Sequence, residues 1–174
     1  VADLSDEDCF AIVEQLNNAR PLITDEKEQH SLAQLNLRAA RQAWISSVWS
    51  AAADYSDMGI SLLPANHWQS DYDTSQELYT LKAECEYLTG NHELSDEYYE
   101  YLFQHLKEDL VRADICATRL VQAIGHGDWA RGMAFGIQGM DFLGLGLPEE
   151  SVLDEALAQE KSRLMAQTND GVID

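Results

Sequence analysis

Three groups of side chains have the residue types from which active or metal sites are usually built. His92 with Asp96, and His105 with Glu108 or Asp109, stand three or four residues apart, which puts each set on one face of a helix. Each set offers two ligands, too few for a metal site, so solvated helical faces are the expected account. Glu84 and Glu86 are two apart and point to different sides of a helix, which does not support a paired-carboxylate acid/base site. The glycines from Gly132 to Gly146 lack the lysine that a phosphate loop requires. No GxxxxGK[ST], HExxH or GxSxG motif is present, nor a GxGxxG after a strand. Close helix packing accounts better for the glycines, because each costs ~1 kcal/mol in a helix interior and is worth that where two backbones approach. On that reading Gly132→Leu should unfold its hairpin. Cys9, Cys85 and Cys116 form no CxxC pair and are odd in number. They are expected to be buried small apolar residues rather than a disulfide framework or a thiolate zinc site. No cofactor, metal or catalytic residue is expected, and the chain reads as a non-enzyme.

Composition narrows the partners. Thirty-one acidic residues against eleven basic ones give a formal charge of -20, a field that repels nucleic-acid phosphates and anionic lipid headgroups. A protein or peptide partner is expected, with no nucleic acid and no membrane. No apolar run reaches the ~18 residues of a membrane span, and Val1 to Glu7 lacks the features of a signal peptide. A cytoplasmic location is the expectation. Apolar residues at 45% and charged residues at 24% of 174 are globular composition. One domain is the default for this length. The chain opens without methionine, which suggests an excised piece of a longer protein.

The elements that would position any site are helices. Pro21, Pro64 and Pro148 fall where helices should begin or end. A flanking helix is expected over about 6–18, with Phe10, Val13 and Leu16 on one face and Ser5 as N-cap. A first hairpin spans about 25–64: Asp25 and Glu28 open it, Ser46 and Ser47 mark its break, and Pro64 closes it. Residues 65–73 read as polar and irregular. Thr74 with Glu77 makes a capping box for a second hairpin over about 74–108, which turns at Gly90 and Asn91. A third spans about 110–146 and turns at Gly127 and Asp128. Pro148, Glu149 and Glu150 open a last helix to about residue 167.

Setting Gly90 beneath Gly127 gives a repeat of 37 residues, somewhat longer than the ~34 of a tetratricopeptide repeat. The hairpins resemble that repeat. Ala83, Ser95, Gly132 and Gly139 match its small crossing positions, and Tyr79, Tyr99 and Trp129 its large packing positions. Leu120, where a small residue is usual, and Gly136, where an aromatic is usual, make the third copy degenerate. Longer strings extend the likeness. CFAIVEQLNNARPLITDEKEQHSLAQLNLRAARQAW, GISLLP, ELYTLKAECEYLTGN and GMDFLGLGLP resemble, in order, the helical region after the ATPase module of large bacterial signalling proteins. Such proteins join a serine/threonine kinase-like domain, an AAA-type predicted ATPase, this region, a GAF sensor and often a histidine kinase.

The resemblance implies an all-α, right-handed superhelix of antiparallel hairpins with flanking helices. It also implies a protein-interaction or domain-coupling role, since the family's nucleotide and phosphoryl-transfer motifs lie outside this segment. Tetratricopeptide folds bind extended peptides on the concave surface lined by first helices, and the repeat alignment projects Arg41, Trp44, Glu77, Thr80, Glu84, Tyr87, Ala117 and Val121 there. That mixture of acids and aromatics suits a basic or aromatic peptide, and the alternative role is a self-contained peptide-binding adaptor. The same surface also suits contact with neighbouring domains of the parent chain. Tyr98, Tyr99 and Tyr101 are expected mainly to pack against neighbours, with Tyr87 as the exception.

Overall fold

A computed structural model describes residues 6–146 and 152–170, and every regular element among them is a helix. The order is α1 (Asp6–Asn18), a 3-10 turn (Arg20–Leu22), α2 (Glu26–Ile45), α3 (Trp49–Ser61), α4 (His67–Ser70), α5 (Tyr72–Leu88), α6 (His92–His105), α7 (Asp109–Gly125), α8 (Trp129–Phe142) and α9 (Leu153–Asp170). The chain divides into two compact units, Val1–Lys107 and Glu108–Asp174. The expected caps at Ser5, Pro148, Glu149 and Glu150 lie outside the described residues.

Each hairpin turns through the same hydrogen-bond motif. After α5, Gly90 N–H donates to Tyr87 O at 3.0 Å and Asn91 N–H to Glu86 O at 2.8 Å. After α7, Gly127 N–H reaches Ile124 O and Asp128 N–H reaches Ala123 O, both at 2.9 Å. These are Schellman turns, whose pivot takes a left-handed backbone that glycine adopts without strain. After α2 the pivot is Ser47, at φ 59°, with Ser47 N–H on Trp44 O at 3.0 Å and Val48 N–H on Ala43 O at 2.9 Å. Ser47 is thus the counterpart of Gly90 and Gly127, a third copy of the turn that its residue type conceals.

Small residues let the first unit's helices approach closely. Ala33, Ala39, Ala40 and Ala43 of α2 are buried, as are Ala52 and Ala53 of α3. A Cβ on Gly59 would lie 2.7 Å from Leu78 Cδ2, so the leucine of α5 fills the space that α3 leaves. Leu37, Ala40, Leu78 and Leu81 form one core cluster across α2 and α5, with Tyr55 and Ile60 of α3 against it. Asn36, fully buried, exchanges two hydrogen bonds with Asn17 at 2.8 and 2.9 Å and so ties α1 to α2. Asp25 caps α2, accepting from Lys27 N–H at 3.0 Å and Glu28 N–H at 3.2 Å.

In the second hairpin the small crossing pair is explicit. Ser95 Oγ donates to Ala83 O at 2.8 Å, and both residues are buried. In the second unit a Cβ on Gly132 would meet Ile124 Cγ1 at 3.0 Å, and one on Gly139 would meet Cys116 Cβ at 3.0 Å. All three cysteines are buried thiols. A Cβ on Gly136 would lie 2.9 Å from Leu120 Cδ1. The two departures from the repeat pattern therefore compensate: the larger residue on α7 occupies room that α8 gives up.

Three expectations need correction. Residues 65–73 are not wholly irregular, because α4 lies within them and α5 begins at Tyr72. Thr74 and Glu77 form no capping box: Asp71 holds the N-cap position, Thr74 is buried, and Glu77 turns to Arg41 on α2. Trp129 is 66% exposed and fills no packing position, whereas Tyr99, its aromatic companion in the repeat reading, is buried.

Candidate functional site

Six of the eight projected residues fall on two helices of the first unit. Arg41 and Trp44 stand one turn apart on α2, and Glu77, Thr80, Glu84 and Tyr87 recur at three and four along α5, making one stripe. The two stripes are joined directly. Arg41 makes a bidentate contact with Glu77, Nε to Oε1 and Nη2 to Oε2, the geometry in which a guanidinium matches a carboxylate best. The hydrogen bonds that Arg41 donates to Glu77 hold its guanidinium above its ordinary pKa, against the opposing effect of burial. Both side chains remain substantially exposed, so the pair braces the surface more than it stabilises the fold.

Trp44 is 38% exposed and meets Trp49 edge-on with ring centroids 6.0 Å apart, which fixes one ring while leaving a face to solvent. Thr80 Oγ1 donates back to Gln76 O at 2.8 Å, so its hydroxyl is satisfied within α5. Tyr87 packs against His92 at 4.9 Å, and burial pushes its phenol upward. Ile45, Val48 and Leu88 are also exposed and extend the apolar character of the helix ends. Ala117 and Val121 lie exposed one turn apart on α7 in the second unit. The structure therefore assembles Arg41 with Glu77 on α2 and α5, and describes Ala117 and Val121 as a separate apolar pair.

The histidines singled out for metal chemistry have other roles. His92 faces Tyr87, while His105 stacks on Trp68 at 4.8 Å and donates from Nδ1 to Tyr101 O at 2.8 Å.

Two constellations were not visible in the sequence. Lys82 and Glu86, both buried, pair at 2.8 Å across one turn of α5. Lys82 Nζ also reaches Ala53 O at 3.4 Å and Asp57 Oδ1 at 3.7 Å on α3, and lies 5.9 Å over the Tyr98 ring of α6. Asn91 Nδ2 donates to the second Glu86 oxygen at 2.6 Å. Burial works against both charges. It is outweighed at Lys82 by Glu86 and Asp57, which keep the ammonium above its ordinary value. At Glu86 it is outweighed by the donors Lys82 and Asn91, which keep the carboxyl low. The signal was present in the spacing of four between Lys82 and Glu86, which marks a helical ion pair but not its burial. Between these residues, burial pushes the Cys85 thiol up to about 12, leaving it protonated and unreactive.

The second constellation is aromatic. Trp68 of α4 touches Tyr72, Tyr79, Tyr101 and His105, and its Nε1 donates to Tyr101 Oη at 3.1 Å. Burial, followed by the hydrogen bond with Tyr101, pushes the Tyr79 phenol far up.

Comparison with known proteins gives one informative likeness. The chain is 27% identical over 122 residues, 65% of its length, to hybrid signal transduction histidine kinase G of Dictyostelium discoideum. The match spans about 4% of that kinase. No family model and no solved structure matches the chain. The chain is thus helical throughout its described regular elements and weakly similar to part of a signalling protein. No helix among the described residues is long and apolar enough to cross a membrane.

Proposed function

We propose that this chain is a non-catalytic protein-interaction or domain-coupling segment of a multidomain signalling protein, built as a tetratricopeptide-like stack. The observation that carries this reading is the α2 and α5 surface. There the Arg41–Glu77 pair fixes two first helices side by side, with Trp44, Thr80, Glu84 and Tyr87 placed along them. The likeness to a short stretch of a very long histidine kinase supports the same role, because such a stretch works through its neighbours. Its mechanism is differential packing: a partner that binds one arrangement of the hairpins more tightly shifts the population toward it.

The test is site-specific photo-crosslinking from Thr80 in the full-length parent protein. A crosslink to a kinase, ATPase or sensor domain, reduced at least several-fold by Glu84→Lys/Tyr87→Ala, is expected. Undiminished crosslinking in that variant overturns the role assigned to this surface. The adaptor reading, with a basic or aromatic peptide as partner, is favoured by Glu77, Glu84 and the half-exposed Trp44 in a chain of charge -20. It predicts peptide affinity that falls steeply with salt. Capture of a free peptide rather than a neighbouring domain distinguishes the two.

A further inference from the structure

Three of the five histidines gather around the four-residue helix α4. His67 belongs to it, His105 of α6 stacks on its Trp68 at 4.8 Å, and His30 of α2 meets Asp71, the residue that follows it. His67 is 9% exposed. Its Nδ1 lies 2.9 Å from Ser75 Oγ, whose own proton goes to Asp71 O at 2.7 Å, so the imidazole donates from Nδ1 to the hydroxyl. His105 Nδ1 faces a carbonyl, which only accepts. Nε2 is therefore the nitrogen of His67 that takes up a proton. The His67 ring stacks on Tyr79 at 5.7 Å and contacts Trp68 at 5.3 Å, so the two histidines flank one indole.

The ionisable groups facing α4 offer little to a new cation there. α5 supplies Tyr72 and Tyr79, and α6 supplies Tyr101 and His105, while Tyr98 of α6 meets Tyr79. Lys107 adds a positive charge 4.2 Å over the Tyr72 ring. The nearby carboxylate, Asp71, has its Oδ2 3.1 Å from His30 Nδ1. Glu26, Lys27 and His30 line the cleft of about 370 Å³ that also contains Asp71. Burial first, and the neighbouring His105 second, push His67 below the ordinary imidazole value, outweighing the pull of Asp71.

We propose that α4 is an acid-released latch, in which proton uptake at His67 Nε2 beside His105 undocks Trp68 and α4 from the α5–α6 hairpin while the flanking hairpins stay folded. A neutral His67 favours docking. Because the undocked imidazole binds its proton more readily, the docked state is fully favoured above about pH 6.5 and loses that advantage as pH falls below it. α4 sits in the connection between α3 and α5, so its release loosens the link between the first two hairpins. The latch rests on the cluster around α4 and stands apart from the interaction role of the α2 and α5 surface.

The test is amide hydrogen exchange between pH 7.5 and 5, corrected for intrinsic rates, on the wild-type chain and on His67→Gln, which keeps a donor but cannot charge. Wild type is expected to lose protection about tenfold over residues 67–71 on acidification, with α5 and α6 unchanged. His67→Gln should show no such loss, and His105→Gln should move the midpoint to higher pH. A pH-independent wild type, a loss shared equally by α5 and α6, or an unchanged acid response in His67→Gln would each overturn the latch. Should His67→Gln dock poorly at neutral pH, histidine NMR titration of the wild type decides: a His67 midpoint at or above about 6.5 refutes it.

Discussion

Ser47 holds a backbone conformation that costs an L-residue roughly 1–2 kcal/mol and glycine almost nothing. Ser47→Gly is therefore expected to stabilise the first unit by about 1 kcal/mol, seen as a raised denaturation midpoint. An unchanged midpoint would mean that the Schellman bonds already offset the strain. Lys82 and Glu86 present the opposite case, a buried pair that stabilises only while both charges are present. Lys82→Met strands the Glu86 carboxylate and should cost about 3–5 kcal/mol, and much less when combined with Glu86→Leu. The sign of the pH dependence follows from the lowered Glu86 pKa. Its contribution is complete above the unfolded value of about 4.3 and is lost as pH falls through the folded one. Glu86→Gln should flatten that part of the acid unfolding profile, measured by circular dichroism.

At the scale of elements, helices meet through pairs of residues whose sizes must match. Gly136→Tyr alone overpacks against Leu120 and should cost about 1–3 kcal/mol, and Leu120→Ala alone opens space and costs a similar amount. Making both changes should cost clearly less than their sum, and strict additivity in urea denaturation would refute the compensation. The same geometry moderates the expectation for Gly132→Leu. The atom a new Cβ meets first is Ile124 Cγ1, so strain of about 1–3 kcal/mol is expected rather than outright loss of the hairpin. Helix positions were largely legible because apolar spacing, proline and glycine report directly on backbone conformation. The left-handed pivot at Ser47, inside the break expected at Ser46 and Ser47, and the short helix α4 were not. Serine carries no sign of a left-handed pivot, and four residues are too few for a period to show.

For the molecule as a whole, a charge of -20 makes self-repulsion a general destabilising term. Raising salt from about 10 to 150 mM should raise the melting temperature, since the Debye length shortens from ~30 to ~8 Å. A melting temperature that falls with salt would show that local ion pairs such as Arg41–Glu77 outweigh the net field. Of the candidate surface, the repeat alignment chose Arg41, Trp44, Glu77, Thr80, Glu84 and Tyr87, and helical period puts Arg41 with Trp44, and the other four, on common faces. The sequence by itself determined helix, hairpin and turn, which depend on contacts a few residues apart. Only the tertiary structure decided that Glu77 leaves its own helix for Arg41, that Lys82 and Glu86 are buried together, and that His67, Trp68 and His105 share one cluster. Those outcomes depend on what lies across a helix interface, at separations of about thirty residues or more in several cases, where one-dimensional spacing carries no distance.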